Sequence, residues 1–342
     1  MEAKLKVLVY EFVSAGGLGE LPADEAGRAA HERLLAQGSS MRDALVHELA
    51  ALPGVSVHAA IRAGADASVL PACPSLPCTP CESPAAFLAR QAPAFDRVWV
   101  IAPETGGVLE SLHDAVGAGR WVGSEVSAIR VAASKSATRA VLSHHGIAVP
   151  WGWDAASPSA PPPDVAERWV VKPDDGAGSE FTQVIGDFGA ARASARQRRL
   201  HGQPVTLEGW IEGRPMSLSV LYRHPGGAEL LSINDQHIEL GADGTLSYRG
   251  VAVGSEALDS ALGRQLAELA QRIGAALPGL AGFVGVDFVL TPKGQPVVIE
   301  INPRLTCAYA ELRTRPGLRL AGDILGLADA VPAGAGAPQH AR

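Results

Sequence analysis

The sequence predicts an α/β protein whose amino-terminal part contains an open parallel sheet. Two nearly continuous apolar runs, Leu5 to Val13 and Arg97 to Ala102, have the composition of strands that are buried on both faces. Helical patterns follow these runs, around Arg28 to Ala36, Met41 to Leu52 and Gly107 to Val116. Because strands that alternate with helices form parallel sheets, we expect this architecture for the first part of the chain.

Length and composition limit the classes of protein to consider. At 342 residues the chain exceeds one ordinary core, so two or three domains are expected. The formal charge of −7 argues against a general nucleic-acid binder. No apolar run approaches the ~20 residues that cross a bilayer, and the charged start leads directly into a strand pattern. We therefore expect a cytoplasmic protein with neither a nucleic-acid nor a membrane partner.

The turns that follow the predicted parallel strands are the first candidate site. Ligands of open sheets collect beyond the carboxyl ends of the strands, where 14–17 and 103–105 would meet. We expect Ser14, Glu104 and Thr105 to contact a substrate there. Glu104 is either a group that orients an amine or an ordinary exposed carboxylate. The turn after the first strand lacks the GxGxxG fingerprint of dinucleotide-binding proteins, which argues against an oxidoreductase.

The four cysteines are unevenly placed. Cys73, Cys78 and Cys81 lie in one proline-rich loop, and Cys307 lies far from them in the sequence. A zinc site is one interpretation of this cluster. It is disfavoured because no second Cys-x-x-Cys pair is present and prolines separate the cysteines. Reduced thiols in a loop are the favoured interpretation.

Two lysines stand out in the middle of the chain. Ser134 is placed to cap a helix that begins at Lys135 and stops near Gly146. Further on, an apolar strand that starts at Trp169 delivers Lys172 to a turn-rich loop. Each lysine taken alone is an ordinary surface residue, so its meaning depends on the segments around it.

The loop after Lys172 has little side-chain bulk. Beyond two acidic residues it contains Gly176, Gly178 and Ser179, whose backbone amides can approach phosphate oxygens closely. The alternative is a β-hairpin, because Asp175 and Gly176 make a good two-residue turn between strands. The loop by itself supports both interpretations about equally.

The last third of the chain contains antiparallel strand patterns and a set of oxygen-bearing side chains. Glu300 and Asn302 alternate with Ile301, so both point to the same face of a strand. Asp287 and Glu300 lie inside apolar runs, where an unpaired buried carboxylate is strongly unfavourable. Because Mg²⁺ prefers hard oxygen ligands, we interpret Asp287, Glu300 and Asn302 as metal ligands, not as the solvent face of an edge strand.

The order of these parts resembles that of the ATP-grasp ligases. In that order a lysine is followed by a lysine with a glycine loop, an acidic hinge at 207–213, an Asp, and Glu-x-Asn. The resemblance implies an ATP-grasp fold with an N-terminal open parallel α/β (pre-ATP-grasp) domain, and ATP with Mg²⁺ or Mn²⁺ as cofactors. We divide the chain into an N-terminal substrate domain (1–127), a small subdomain with the glycine-rich loop (128–204), a C-terminal subdomain with the metal site (205–329) and a disordered tail (330–342).

The resemblance also implies roles for single residues. Lys172 would contact the α-phosphate of ATP and Lys135 the β-phosphate side, while Arg304 would stabilise phosphate or bind a substrate carboxylate. The hinge backbone would hold adenine, and Glu212 would reach the ribose. The implied reaction is phosphorylation of a carboxylate, attack by an amine and loss of phosphate. The predicted ATP-binding residues are Lys135, Lys172, Gly176, Gly178, Ser179, Glu208, Trp210, Ile211 and Glu212, with Lys172 and Arg304 as catalytic residues and Arg304 also in the substrate set.

The amino terminus narrows the resemblance. The segments 6–17 and 100–110, followed by the ATP-grasp motifs, resemble the tyramine–glutamate ligases of methanofuran biosynthesis up to about Arg315. This implies that glutamate is activated at its γ-carboxylate and that tyramine or tyrosine is the amine, in one-carbon cofactor synthesis. Two alternatives stay open: another amino-acid or peptide ligase of the D-alanine ligase type, and a nucleotide-binding regulator without turnover. The oligomeric state also stays open, a homodimer included.

Overall fold

The structure is a computed structural model that describes residues 4–19, 23–65, 73–79, 81–153, 165–176, 181–223, 227–315 and 317–327. The described residues form three sheets of five, four and five strands. Every helix in these ranges is too short or too polar to span a bilayer. The predicted tail at 330–342 lies outside the described residues.

The first sheet is parallel, with the strand order β3-β2-β1-β4-β5. It confirms the predicted open parallel sheet in the amino-terminal part of the chain. Because β1 has β2 on one side and β4 on the other, the turns that follow β1 and β4 leave the same sheet edge side by side. Its elements are β1 (Leu5–Glu11), α1 (Glu25–Ala51), β2 (Val55–Ile61), β3 (Ser75–Pro77), α2 (Pro84–Gln91), β4 (Arg97–Ile101), α3 (Val108–Val116) and β5 (Trp121–Val122).

Helix α1 is continuous, so the prediction of two helices in this segment was wrong. Asp24 begins the helix, since its side chain accepts a hydrogen bond from the Gly27 amide at 2.8 Å. Gly38 does not end it. A Cβ at Gly38 would collide with the carboxylate of Glu11 on β1, so the glycine lets the helix pack closely on the strand.

The second sheet is antiparallel, with the order β6-β9-β7-β8. Ser134 caps α5 by accepting from the Ala137 amide at 3.1 Å, which confirms the predicted helix start at Lys135. Strand β7 pairs with β8 in a register that joins Val171 to Gln183, so the two-residue hairpin alternative was wrong. The elements are α4 (Val126–Ala132), α5 (Lys135–His144), β6 (Gly152–Trp153), β7 (Trp169–Pro173), β8 (Gln183–Ile185), α6 (Phe188–Leu200) and β9 (Val205–Gly209).

The third sheet is also antiparallel, with the order β12-β11-β10-β13-β14. Helix α7 packs on one face, where Leu266 and Ile273 share a core with Met216 and Val286. Because side chains alternate along a strand, Asp287 points to the opposite face. The elements are β10 (Arg214–Arg223), β11 (Gly227–Leu240), β12 (Leu246–Glu256), α7 (Ala261–Ala276), β13 (Gly282–Leu290), β14 (Pro296–Asn302), α8 (Ala308–Leu312) and α9 (Leu320–Ile324).

The last two helices return to the first sheet and pack on α1. The Tyr309 hydroxyl on α8 donates to one oxygen of Glu48 at 2.5 Å, and the Ala321 amide on α9 donates to the other at 2.8 Å. Leu312 and Leu320 join the core that β1 and α1 build. This packing brings the segment after β14 next to the turn after β4.

Candidate functional site

A deep cleft lies between the second and third sheets. It contains about 950 Å³ of empty space, open solvent at its mouth included. Lys172 and Glu208 line it from the second sheet, and Asp287 and Glu300 line it from the third. Lys135 enters from the start of α5. The structure therefore gathers both predicted lysines and both predicted metal carboxylates around one space.

Lys172 is held by a buried carboxylate. Its ammonium group lies 2.8 Å from one oxygen of Glu208, and the Arg139 guanidinium donates to the other oxygen at 2.8 Å. The Thr206 hydroxyl also points at Glu208, at 3.4 Å. Glu208 is only 3% exposed, and a buried carboxylate requires such partners. Two cations against one carboxylate leave positive charge on this wall of the cleft.

Lys135 connects the start of α5 with both the glycine-rich loop and the third sheet. Its ammonium group donates to the carbonyl oxygen of Gly176 and lies 3.5 Å from a Glu300 oxygen. The side chain is buried. A second ammonium group is therefore directed at the cleft, from a helix amino terminus that itself favours negative ligands.

The first residues of the glycine-rich loop are anchored on two sides. The Asp174 carboxylate accepts from the Ser136 amide at 2.9 Å and from the Ser134 hydroxyl at 2.6 Å, which fixes the loop to α5. The Asp175 carboxylate accepts from the Gly106 amide at 3.0 Å, which fixes it to the turn after β4. The predicted phosphate-binding residues Gly178 and Ser179 lie outside the described residues.

Asp287 and Glu300 are opposite each other on adjacent strands. They are register partners in β13 and β14, and Asn302 follows Glu300 on the same face, as the sequence predicted. The Asn302 amide donates to one Asp287 oxygen at 3.2 Å, and the Gln236 amide donates to the other at 2.8 Å. Like charges at directly opposed positions of a sheet repel, and the Lys135 ammonium group, 3.5 Å from Glu300, offsets this repulsion only in part.

The electrostatics of Asp287 fit a divalent metal ion. Burial, and then the negative charge of Glu300, raise the pKa of Asp287 to about 7. The described residues contain no group of three or more His, Cys, Asp or Glu side chains arranged around a metal position, and the cysteines are free. The donor set is therefore two carboxylates with the Asn302 amide, all hard ligands that suit Mg²⁺ or Mn²⁺.

A buried ion pair joins the first sheet to the third. Arg304, two residues after β14, donates to both oxygens of Glu104 at 3.0 and 3.1 Å. Glu104 follows β4 and is 5% exposed, so it is not the ordinary exposed carboxylate that the sequence also allowed. Fork-to-fork contacts of this kind fix the guanidinium in orientation as well as in position.

The other predicted substrate and ribose residues lie apart from the cleft lining. Ser14 lines a second cavity beside the first sheet. Thr105 is exposed. The Glu212 side chain is 66% exposed and pairs with Arg168. None of these three belongs to the described lining of the cleft.

The hinge residues Trp210 and Ile211 do line the cleft. The Arg168 guanidinium lies over the Trp210 ring, 5.0 Å from its centroid, and the Trp210 amide donates to the Arg168 carbonyl at 2.9 Å. The indole Nε1 is buried and has no hydrogen-bond partner within the described ranges. A buried donor without a partner is unfavourable, so this position favours a ligand with an acceptor.

Two residues of the site were not predicted. Arg139 follows Lys135 by four positions, which places both on one face of α5, and that spacing was the available signal. Gln236 on β11 reaches Asp287 across the sheet, and no local pattern in the sequence indicates it.

Comparison with known proteins gives two family matches. A model of the ATP-grasp domain matches residues 132–308, and a model of the pre ATP-grasp domain matches residues 63–129. The first match contains both lysines, the predicted hinge and the two carboxylates that were predicted to bind metal. The second lies within the part of the chain that forms the parallel sheet.

Individual relatives are more distant. Tyramine–L-glutamate ligase from Methanocaldococcus jannaschii is 26% identical over 65% of this chain and 60% of its own length. Phosphoribosylamine–glycine ligase from Mycobacterium leprae is 30% identical over 66% of this chain and 56% of its own length. The chain thus spans about 60% of the length of the first relative. The crystal structure of an ATP-grasp superfamily protein from Archaeoglobus fulgidus superposes with a TM-score of 0.67 at 23% identity, over 94% of this chain and 88% of that one, which shows the fold.

Proposed function

This chain belongs to the ATP-grasp family, and from that premise we propose that it is an ATP-dependent carboxylate–amine ligase. The substrates that we propose are glutamate, activated at its γ-carboxylate, and tyramine or tyrosine as the amine. The product would serve the synthesis of a methanofuran-type cofactor. The choice of substrates rests on the resemblance to tyramine–L-glutamate ligases.

The observation that supports this proposal is the convergence of two ammonium groups and two carboxylates on one cleft. Lys135 and Lys172 come from different elements of the second sheet region, and Asp287 and Glu300 come from the third sheet. A triphosphate needs positive charge along its length, and phosphoryl transfer is catalysed mainly by positioning and by electrostatic stabilisation. The lysines would bind phosphate oxygens, and the hinge at 209–211 would hold the base.

A divalent ion would bind to Asp287, Glu300 and Asn302. The fit rests on the opposed carboxylates and on the raised pKa of Asp287, since both are relieved by positive charge. When bound, such an ion neutralises phosphate charge during transfer. Gln236 would hold the Asp287 carboxylate in orientation from the neighbouring strand.

The reaction that we propose has two steps. A γ-carboxylate oxygen of glutamate attacks the γ-phosphorus of ATP, the bond to the bridging oxygen breaks, and ADP leaves. The amine nitrogen then attacks the acyl carbon and loses a proton, and the bond to phosphate breaks as the amide forms. Arg304 would stabilise charge on the transferred group, and Glu104 would hold Arg304 in place and orient the amine.

The test is ADP release by the purified chain with paired and single substrates. We expect release to be stimulated by glutamate together with tyramine or tyrosine, and not by either partner alone. Mass spectrometry should then detect the corresponding γ-amide. If no pair stimulates release while ATP still binds, the chain is a nucleotide-binding protein without this activity.

Another ligase activity is the second candidate. The similarity to a phosphoribosylamine–glycine ligase, which is 30% identical, favours the same chemistry on a different amine and a different amino acid. A panel of amino acids as carboxylate donors, each tested with several amines, separates the two candidates. ADP release with glycine or alanine and none with glutamate would replace our first proposal with this one.

A further inference from the structure

A second cavity lies beside the first sheet, away from the ATP-grasp cleft. It contains about 730 Å³ of empty space, open solvent included, at the carboxyl ends of β1 and β2. Ser14 and Gly16 line it from the turn after β1, Arg62 from the end of β2, and Ser39 and Arg42 from α1. In open parallel sheets this edge is where ligands bind, yet the reaction proposed for the cleft uses none of these residues.

The ionisable side chains in the described lining of the cavity are all basic. Its described lining contains the basic side chains of His31, Arg42 and Arg62 and no carboxylate. His31, Ser39 and Arg42 lie on one face of α1, because they are separated by eight and three positions. Leu35 and Ile61 contribute apolar surface to the lining. A ligand that suits this lining carries an anionic group and a hydrocarbon part.

The two arginines differ in burial, since Arg42 is buried and Arg62 is exposed at the rim of the cavity. The Arg42 side chain is only 6% exposed, and its guanidinium contacts Asp43 at 2.8 Å. The Arg62 amide donates to the Ser14 carbonyl at 3.1 Å, which ties the end of β2 to the turn after β1. Gly16 has a φ of +94°, and a Cβ there would press on the Arg62 side chain at 3.0 Å. The glycine thus leaves the room in which Arg62 lies against this turn.

The cavity also lies close to the reacting end of the ATP-grasp site. Glu11 is the last residue of β1, directly before the turn that lines the cavity, and Arg42 is near enough to act on its charge. The Phe12 amide, directly after β1, donates to the Ile101 carbonyl at the end of β4 at 2.9 Å, and the turn after β4 carries Glu104, which holds Arg304. The turn that lines the cavity and the turn that carries Glu104 therefore leave the sheet at neighbouring strands.

We propose that this cavity binds the spectator carboxylate of an amino-acid substrate, meaning a carboxylate that forms no bond in the reaction, with Arg62 and Arg42 as hydrogen-bond donors. The inference rests on the proposed function, because that function provides two sources of such a group. One is the α-carboxylate of glutamate. The other is the carboxylate of tyrosine, which tyramine lacks. Bidentate contacts from guanidinium groups are the usual means of recognising a carboxylate.

The experiment compares each substrate with its decarboxylated analogue in the full chain. Glutamate is compared with 4-aminobutyrate, and tyrosine is compared with tyramine, by kcat/KM for ADP release. We expect a preference of at least about tenfold for the carboxylate-bearing member of one pair, which identifies the source. Arg62→Gln should collapse that preference. Arg33→Gln, at an exposed arginine on α1 outside the cavity lining, should leave it unchanged.

Direct binding separates failure of this inference from failure of the proposed function. Calorimetry with glutamate and with tyrosine measures affinity without turnover, in the wild type, Arg62→Gln and Arg42→Gln, with circular dichroism to verify folding. If no pair releases ADP but one amino acid binds and Arg62→Gln weakens it at least about tenfold, the proposed function fails and the cavity assignment stands. If the wild type releases ADP, and if Arg62→Gln changes neither the substrate preference nor the affinity for the amino acid, the cavity assignment alone is overturned.

Discussion

The two walls of the ATP-grasp cleft differ in how their carboxylates are compensated. On the second sheet, Glu208 lies between Lys172 and Arg139, each at 2.8 Å. On the third sheet, Asp287 receives only amide hydrogen bonds and faces Glu300, whose ammonium partner lies 3.5 Å away. The first wall has two cations in contact with its one carboxylate, whereas the second has two carboxylates and, within the described residues, one ammonium group in contact with them. We infer that the second wall is the one whose properties change when a cation arrives.

The largest effect is expected from removing a cation from the wall that the second sheet forms. Lys172→Ala removes a proposed phosphate ligand and leaves Arg139 as the one cation beside Glu208, so ADP release should fall about a thousandfold. The unfolding free energy should also fall, because a buried carboxylate loses a partner. Assays of ADP release measure the first effect, and unfolding by denaturant measures the second. Lys293→Ala, an exposed lysine in a turn, is the matched control, and equal activity of the two variants would remove Lys172 from the site.

The second-largest effect is expected from removing a negative charge from the wall that the third sheet forms. Glu300→Gln should lower turnover about a hundredfold, since it removes one proposed metal ligand. Thermal stability in metal-free buffer should change little, because the lost repulsion against Asp287 offsets the lost contact with Lys135. Glu268→Gln, on the exposed face of α7, is the control. A variant that keeps activity, or that unfolds more easily without metal, contradicts our account of this wall.

A smaller effect is the pH dependence of Mg²⁺ binding. The pKa of Asp287 is raised from 3.8 to about 7, so the metal-free fold holds a proton there that the unfolded chain releases. Its contribution to stability is present below pH 4 and is lost as the pH rises through about 7. Because Mg²⁺ displaces this proton, its affinity should rise about tenfold per pH unit below 7 and level off above. Titration of the thermal midpoint with MgCl₂ between pH 5.5 and 8 measures this, and a flat profile in the wild type contradicts it.

The smallest effect is expected at the rim, where a carboxylate is in contact with solvent. Glu212 is 66% exposed and pairs with Arg168, so its proposed contact with the ribose is screened by water. Glu212→Ala should raise KM for ATP no more than about fivefold and leave kcat unaltered. A KM identical to that of the wild type would mean that Glu212 does not contact the nucleotide.

Local patterns in the sequence predicted much of this site. The N-cap at Ser134 fixed the start of α5 and therefore the direction from which Lys135 enters. Strict alternation in β14 placed Glu300 and Asn302 on one face, and the structure pairs Glu300 with Asp287. These predictions held because capping and strand alternation depend only on residues within a few positions of each other.

Other features depended on distant partners. Several arginines on one helix, as on α6, are usually explained as a solvated helix face, and this explanation does not hold for Arg198 and Arg199. Instead Arg198 donates to the Phe181 carbonyl at 2.9 Å, and Arg199 donates to the Val205 carbonyl at 2.7 Å. Long flexible side chains can serve water or backbone equally well, and the neighbouring strands decide which. The continuity of helix α1 also involves a distant partner. Gly38 lies inside this helix because the Glu11 side chain approaches too closely for a residue with a Cβ.

The sequence by itself determined which chemical groups the chain carries and which strands and helices present them: two lysines, a glycine-rich loop and an Asp with a Glu-x-Asn segment. Only the tertiary structure decided how these groups are charged and held. The Glu104–Arg304 pair joins residues 200 positions apart, and Asp287 acquires its pKa from burial and from a neighbouring strand. The physical reason is that hydrogen-bonded secondary structure forms from short-range patterns, whereas desolvation and charge pairing depend on every element that packs around a group.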